Sequence, residues 1–414
     1  MRVVHERCCG LDIHKKFVVA CLLATESDGT VHKEVRTYSA MTNDLLALAD
    51  WLRGEDCGPV VMESTGSYWR PVFNLLEEQC EVLVVNAYHV KAVPGRKTDV
   101  KDAEWLADLL RHGLLRASFI PAPTQRHLRD LTRYRIHLVD ERARLINRLQ
   151  TVLEDANIKL ASVVSDVRGL SAREILQRLL EGETDAQALA ELARGKLRAK
   201  LPALETALQG RFSSHHALLL SHLLSHIDYL DHSIDSLSAE IEERLDPFAQ
   251  QRELLCTIPG VAERTAEVIL AELGPDMGRF PSHRHAASWA AICPGNDESA
   301  GKRKTGKTRK GDRWLRTALV EAANSAAGRT KDTYLRAQYL RVKRRQGHKK
   351  AIVAVAHSIL VAAYYILSEQ KPYQELGGDF FIRRQDQERL TQRLVRQLER
   401  LGQRVTLEPA LQGR

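Results

Sequence analysis

Four acidic residues in the first quarter of the chain sit where carboxylates could do chemistry. Asp12 lies in Cys9-Gly-Leu-Asp-Ile-His14 and Glu63 in Val60-Val-Met-Glu-Ser-Thr-Gly66, each isolated beside an apolar run. Asp99 and Asp102 are three apart, at the opening of a helical pattern marked by Leu106, Leu109 and Leu110. That spacing puts both on one helix face, one turn apart. Delivered to one point, the four would form an all-oxygen site for Mg2+ or Mn2+. Taken singly, Asp99 and Asp102 each read better as helix-start acids favoured by the helix dipole. Asp12 does not, because a lone acid inside an apolar strand is costly unless paired or metal-bound.

A second group lies between Cys293 and Arg316. From Lys302 to Arg316 there are eight Lys/Arg and one acid, Asp312, with glycines at 295, 301, 306 and 311 punctuating the segment. A basic, glycine-rich loop before a helix start at Asp312 suits a phosphodiester backbone. Lys302, Arg303, Lys304, Lys307, Arg309, Lys310 and Arg313 are its candidate phosphate contacts. Ser299 is the one hydroxyl near the start of this loop with small neighbours, Ala300 and Gly301. A serine among cations can attack phosphorus, since they stabilise charge building on its oxygens; on chemistry alone it reads more simply as a loop serine. Upstream, Ile258-Pro-Gly-Val261 joins two helical patterns. It resembles a helix-hairpin-helix turn, with Gly260 and backbone N–H groups offered to a phosphate and Arg264 adding charge.

The elements that must position these groups are legible. Apolar runs at Cys8–Ile13 and Phe17–Ala24 and an alternating run at Val31–Tyr38 predict three strands. Thr42–Arg53 follows as a helix capped by Thr42 or Asn43. Pro59–Met62 and Glu81–Val85 predict buried strands around a helix at Ser67–Gln79. The order β-β-β-α-β-α-β-α is an α/β unit with a mixed sheet, and active sites of open α/β sheets gather at strand ends. After Pro121-Ala-Pro123, a helix from Gln125 to about Asn157 carries Arg126, Arg129, Arg133, Arg135, Arg142, Arg144 and Arg148. These either contact phosphates or form a solvated face. Leu220, Leu223, Ile227, Leu230, Ile234, Leu237 and Ile241 make an a/d seam of three heptads. Self-association is the preferred use of that seam, and a hairpin with the arginine-rich helix is the alternative. Arg341–Lys350 is again basic, Ala351–Leu367 reads as a buried helix rather than a membrane span, and Gln385–Gln403 forms an amphipathic tail.

The chain has 414 residues, 44% hydrophobic and 28% charged, with a net charge of +8. It is long enough for two or three cores, and its basic balance favours an anionic partner. Seven cysteines without a C-x-x-C pair argue against a disulfide framework or structural zinc, and for a reducing, cytoplasmic setting.

Several separated motifs, in order, resemble the IS110 family of insertion-sequence transposases over about residues 7–382. They are Gly10-Leu-Asp-Ile-His14, Glu63-Ser-Thr-Gly-Ser-Tyr68, Lys97-Thr-Asp-Val-Lys-Asp-Ala103 with Leu-Leu-Arg-His-Gly113, and Ile258-Pro-Gly-Val261. Cys293-Pro-Gly-Asn, Glu298-Ser-Ala-Gly-Lys302 and Lys310-Gly-Asp-Arg-Trp-Leu-Arg316 complete the set. The resemblance implies a ribonuclease H-like, resolvase-like domain over residues 1–122, whose DEDD tetrad maps to Asp12, Glu63, Asp99 and Asp102. It implies a helical coiled-coil region over 123–248 and a mainly α-helical transposase domain over 249–382. Residues 383–414 form a basic helical tail. Ser299 takes the place of the family's serine, in a Ser-Ala-Gly run where relatives often have two serines before paired glycines. The further implications are an oligomer, dimer to tetramer, acting on donor and target DNA under a structured bridge RNA. The serine would form a 5′-phosphoserine link in a composite site with the Mg2+-bearing carboxylates of another subunit. Two other readings stand beside this one. In a metal-dependent structure-specific nuclease Ser299 would be incidental, and a non-catalytic nucleic-acid-binding descendant would not need Asp12.

Overall fold

The computed structural model describes residues 2–64, 66–87, 90, 102–293, 297–299, 302–305, 308, 311–383 and 387–407. They fall into two compact units that divide between Ala122 and Pro123.

The first unit is built on strands β1 (Arg7–Ile13), β2 (Phe17–Thr25), β3 (Val31–Ser39), β4 (Val60–Glu63) and β5 (Val82–Val85). The sheet order is β3-β2-β1-β4-β5. The first three strands run antiparallel, while β4 lies parallel to both β1 and β5. Because successive side chains alternate between faces, each central strand supplies two cores. Cys9, Leu11, Ile13, Val60 and Met62 pack under helices α1 (Thr42–Gly54) and α2 (Trp69–Leu76). Cys8, Cys21, Leu23 and Val61 meet helix α3 (Asp102–Arg111) through Ala103, Leu106, Ala107 and Leu110. Burial on both faces is why the strands read as near-continuous apolar runs. A Cβ on Gly10 would fall 2.1 Å from the Ala103 carbonyl oxygen and 2.6 Å from the Ala107 nitrogen, so only glycine lets α3 lie directly on β1. Two local expectations are corrected. The N-cap of α1 is Met41, with no side-chain capping bond. Helix α2 is shorter than the Ser67–Gln79 reading: its apolar residues Val72, Phe73 and Leu76 bury one short face.

The second unit is helical apart from one small hairpin. Helix α4 (Pro123–Asp155) runs antiparallel to α6 (Ser214–Leu245), with Asp155 paired to His216, Arg142 to Asp231 and Arg135 to Ser238. Their shared core, Leu138, Leu145, Leu149 and Leu153 with Leu220, Leu224, Ile227, Leu230 and Ile234, also takes Ile175 and Leu176 of α5 (Leu170–Leu180). The a/d seam is therefore occupied within the chain. The preference for self-association through it is corrected, because its apolar face is already removed from water by α4.

A further core gathers α7 (Ala249–Cys256), α8 (Glu263–Leu273), α9 (His283–Trp289), α10 (Arg313–Arg329), α11 (Tyr334–Gln346) and α12 (His348–Glu369). Helix α12 is long and apolar enough to cross a membrane by length and composition. Ala351, Val355, Ile359, Leu360 and Ala363 are nevertheless fully buried in this core, which is the place expected for it. All seven cysteines are free.

Candidate functional site

Leu11 of β1 pairs with Met62 of β4, so Asp12 and Glu63 follow side by side at the C-terminal ends of two parallel strands. Alternation sends both toward the face that α3 covers, and Asp102 opens that helix one residue before Ala103 meets Gly10. Asp12 and Glu63 are half-buried and Asp102 is exposed. The Asp12 carboxylate accepts a bond from His14 Nε2 at 3.0 Å, and His14 in turn lies 4.5 Å from the Phe17 ring. His14 was not among the expected site residues, although it stands two positions from Asp12. Asp99 lies outside the described residues. Among the described residues, no group of three or more His, Cys, Asp or Glu is close enough to hold a metal. The chemistry of this donor set, oxygen only and on one sheet face, suits a hard cation such as Mg2+.

The expected basic loop is in part a hairpin. Strand β6 (Asp297–Ser299) pairs antiparallel with β7 (Lys302–Thr305), Ser299 opposite Lys302 and Glu298 opposite Arg303. This corrects the loop reading around Lys302, Arg303 and Lys304; backbone pairing organises residues whose side chains carry no apolar pattern. Lys307, Arg309 and Lys310 lie outside the described residues. Beyond the hairpin the chain is anchored firmly. A Cβ on Gly311 would sit 2.7 Å from the Trp289 carbonyl oxygen and 2.5 Å from the Ala291 Cβ. Asp312 then caps α10, accepting from the backbone nitrogens of Trp314 and Leu315 at 2.8 and 2.9 Å. Arg313 is exposed and stacks over Trp314 at 4.3 Å.

Asp312 also belongs to a buried network the sequence reading missed. Arg133 of α4 grips both Glu272 oxygens at 2.7 Å and reaches Asp312 at 3.4 Å. Arg129 lies 3.3 Å from Glu272 and donates to the Ala271 carbonyl at 3.0 Å, and Arg135 pairs with Glu267 at 2.5 Å. Burial, together with the neighbouring Asp312 carboxylate, pushes the Glu272 carboxyl up to about 7, against the pull of Arg133. The signal available in the sequence was Glu267 and Glu272, two acids within the otherwise apolar stretch Ala266–Leu273 of the helix. Arg129, Arg133, Arg135 and Arg142 are thus tied to carboxylates of the chain itself. For these four, both expectations, phosphate contact and a solvated face, are corrected. Arg144 and Arg148 are exposed.

The turn before α8 is closely packed. Gly260 has φ +90°, and a Cβ there would lie 2.4 Å from the Ala322 carbonyl oxygen and 2.7 Å from the Ala326 nitrogen. Its glycine is required by the close approach of α10. Arg264, in the first turn of α8, remains exposed.

The chain matches two family models. One describes a DEDD transposase of IS110 type over residues 9–158, and the other the transposase IS116/IS110/IS902 family over residues 252–340. A candidate transposase, y4pF/y4sB, of Sinorhizobium fredii is 26% identical over 68% of this chain and 65% of its own length. An insertion element IS900 protein of Mycobacterium paratuberculosis is 28% identical over 67% of this chain and 73% of its own. The pilin gene-inverting protein of Moraxella bovis is 24% identical over 38% of this chain, which spans about half (48%) of that relative. The two family models cover the acid-bearing sheet and the α8-to-α11 core respectively, and by both the chain belongs to the IS110 family of insertion-sequence transposases.

Proposed function

We propose that the protein cuts and rejoins DNA as the transposase of an insertion sequence, guided by a structured RNA. The observation that carries the reading is the placement of Asp12 and Glu63 side by side at the ends of parallel strands, facing the helix that Asp102 begins. The strand order, three antiparallel strands followed by two parallel ones, supports a ribonuclease H-like fold. The relatives' names support the activity: one is called a gene-inverting protein, and inversion requires cutting and rejoining.

In this reading Asp12, Glu63, Asp99 and Asp102 hold Mg2+, which when bound neutralises charge at the scissile phosphate. Ser299 is the nucleophile. Its oxygen bonds to phosphorus, the bond from phosphorus to the 3′ oxygen breaks, and the serine proton ends on that 3′ oxygen. The products are a 5′-phosphoserine link and a free 3′ hydroxyl. Attack by a 3′ hydroxyl reverses the step and returns the proton to the serine, so rejoining needs no external energy. Lys302, Arg303, Lys304, Lys307, Arg309, Lys310 and Arg313 hold the phosphate backbone. Sequence choice is left to base pairing with the guide, and the protein acts as an oligomer.

The test is to incubate protein, labelled DNA carrying the element ends, guide RNA and Mg2+, and to look for protein–DNA adducts under denaturing conditions. Asp12→Ala should abolish all cutting, and Ser299→Ala should abolish the adduct and strand exchange. Free 5′-phosphate ends with no trapped protein would replace this reading with metal-dependent hydrolysis. Full activity in Asp12→Ala would end both.

A further inference from the structure

At the joint between α11 and α12, six cations fall within ten residues: Arg341, Lys343, Arg344, Arg345, Lys349 and Lys350. All six are exposed, and no acid interrupts the run. Arg341 lies over the Phe381 ring at 4.6 Å and Lys343 over the Tyr339 ring at 5.4 Å. Among the described residues, none of the six forms an ion pair with a carboxylate. Elsewhere on the surface arginines do form such pairs, such as Arg173 with Asp228 and Arg194 with Glu174. Six like charges left together repel one another, and the arrangement is relieved when a polyanion covers them.

Beside this cluster is a cavity of about 220 Å³, lined by Tyr334, Gln338, Arg341, Val342, Arg345 and Phe381 among others. Its aromatic wall is preformed. Phe381 stacks on Tyr334 with ring centroids 5.2 Å apart and planes 25° apart, and Phe380 closes the stack edge-on at 5.1 Å from Tyr334. The Gln338 Oε1 is buried without a hydrogen-bond partner. A buried acceptor left unsatisfied is costly, and the Gln338 residue is part of the cavity lining. The cavity thus combines a flat apolar surface, guanidinium groups and an amide, with unpaired cations continuing away from it. A fatty chain would find no use for the amide or the stacked guanidinium. A nucleobase fits each feature: a ring to stack, amino and imino hydrogens to donate, and phosphates on either side for the cations.

We propose that this cavity and the cationic joint form a binding site for an unpaired nucleotide in single-stranded nucleic acid. The base stacks against Phe381, and its flanking phosphates lie along Arg341, Arg344 and Arg345. In a duplex the base would be stacked on its neighbours and unable to enter. The proposal rests on the reading above only in taking nucleic acid as the partner. It requires neither the carboxylate site nor the Ser299 chemistry.

The experiment uses the full chain carrying Asp12→Ala, so that binding is read without cutting, and measures fluorescence anisotropy of labelled oligonucleotides about 16 nucleotides long. Single-stranded RNA, single-stranded DNA and a DNA duplex are the three probes. Phe381→Leu should weaken single-strand binding by about tenfold, the scale of one lost base stack, and leave duplex binding within about twofold. Arg341→Lys, which keeps the charge and removes the planar group, should act in the same direction and covers the case in which Phe381→Leu disturbs folding. A larger effect on the RNA strand assigns the site to the guide, and a larger effect on the DNA strand assigns it to opened target. Equal loss on duplex and single strands would overturn the proposal in favour of undirected charge. So would unchanged single-strand binding in both variants, or Phe381-dependent sedimentation with anionic phospholipid vesicles in place of oligonucleotides. Absence of strand cutting in the parent protein would count against the proposed function alone and leave the binding result standing.

Discussion

Helix α4 carries seven arginines in 33 residues, and the α11–α12 joint carries six cations in ten, so in the sequence both read alike as basic stretches. In the folded chain their surroundings are opposite. On α4, Arg129, Arg133, Arg135 and Arg142 meet Glu272, Glu267 and Asp231, and the first three link the long helix to α8 and to the cap of α10. At the α11–α12 joint the cations stay in water, with no carboxylate partner among the described residues. A run of basic residues therefore says little about its partner until the acids that reach it are counted. The acids that matter on α4 are more than 130 residues away in sequence for Glu267 and Glu272.

The largest expected effect falls on the paired side. Arg135→Ala leaves Glu267, only 7% exposed, as an uncompensated buried charge. Breaking such a pair costs about 3–5 kcal/mol, whereas replacing both partners by apolar residues is often close to neutral. Urea unfolding followed by helical circular dichroism should show that loss for Arg135→Ala and recover most of it in Arg135→Met/Glu267→Leu. If the single variant lost less than about 1 kcal/mol, the α4 arginines would not be structural and the contrast would fail.

The elements that could be read in advance are those whose information is local. Strands β1 to β5 and helices α1 to α4 follow from apolar runs and period, because a residue's face depends only on its near neighbours. Asp12 and Glu63 stood out for the same reason, being acids where an apolar strand should continue. The β6–β7 hairpin was not, since Asp297–Ser299 and Lys302–Thr305 carry polar and basic side chains with no alternation to mark a strand. The heptads of α6 were correctly seen as an apolar seam, but periodicity describes a face and not what covers it. The approach of α10 to Gly260 was not legible, because a glycine needed for packing is indistinguishable, in sequence, from one needed for a ligand.

A smaller effect, and one that depends on pH, sharpens the account of the α4 network. Glu272 is fully buried and its carboxyl is raised from 4.5 to about 7, chiefly by burial. The folded state then holds this proton more tightly than the unfolded chain does. The associated stability is fully present below about pH 4.5 and is lost as pH rises through about 7. Thermal unfolding should show the second unit becoming less stable between about pH 5 and 8, by on the order of 1–3 kcal/mol. Glu272→Gln should flatten that slope, because an amide does not titrate. An unchanged slope in the variant would assign the dependence to another group.

The smallest effect on stability belongs to the exposed joint, and it is the one that separates the two regions most cleanly. Arg344→Gln/Arg345→Gln removes two exposed charges that no carboxylate holds, so unfolding free energy should stay within about 0.5 kcal/mol of the parent. The same change should lower the slope of log affinity against log salt for single-stranded nucleic acid by about 1.4–1.8, one counterion's worth for each lost phosphate contact. Arg129 and Arg133 should behave in reverse, altering stability and leaving the salt slope alone, because their charge is already neutralised inside the protein. If Arg344→Gln/Arg345→Gln left the slope unchanged while destabilising the fold, the joint would be a structural cluster like the one on α4. The distinction drawn between the two basic stretches would then disappear.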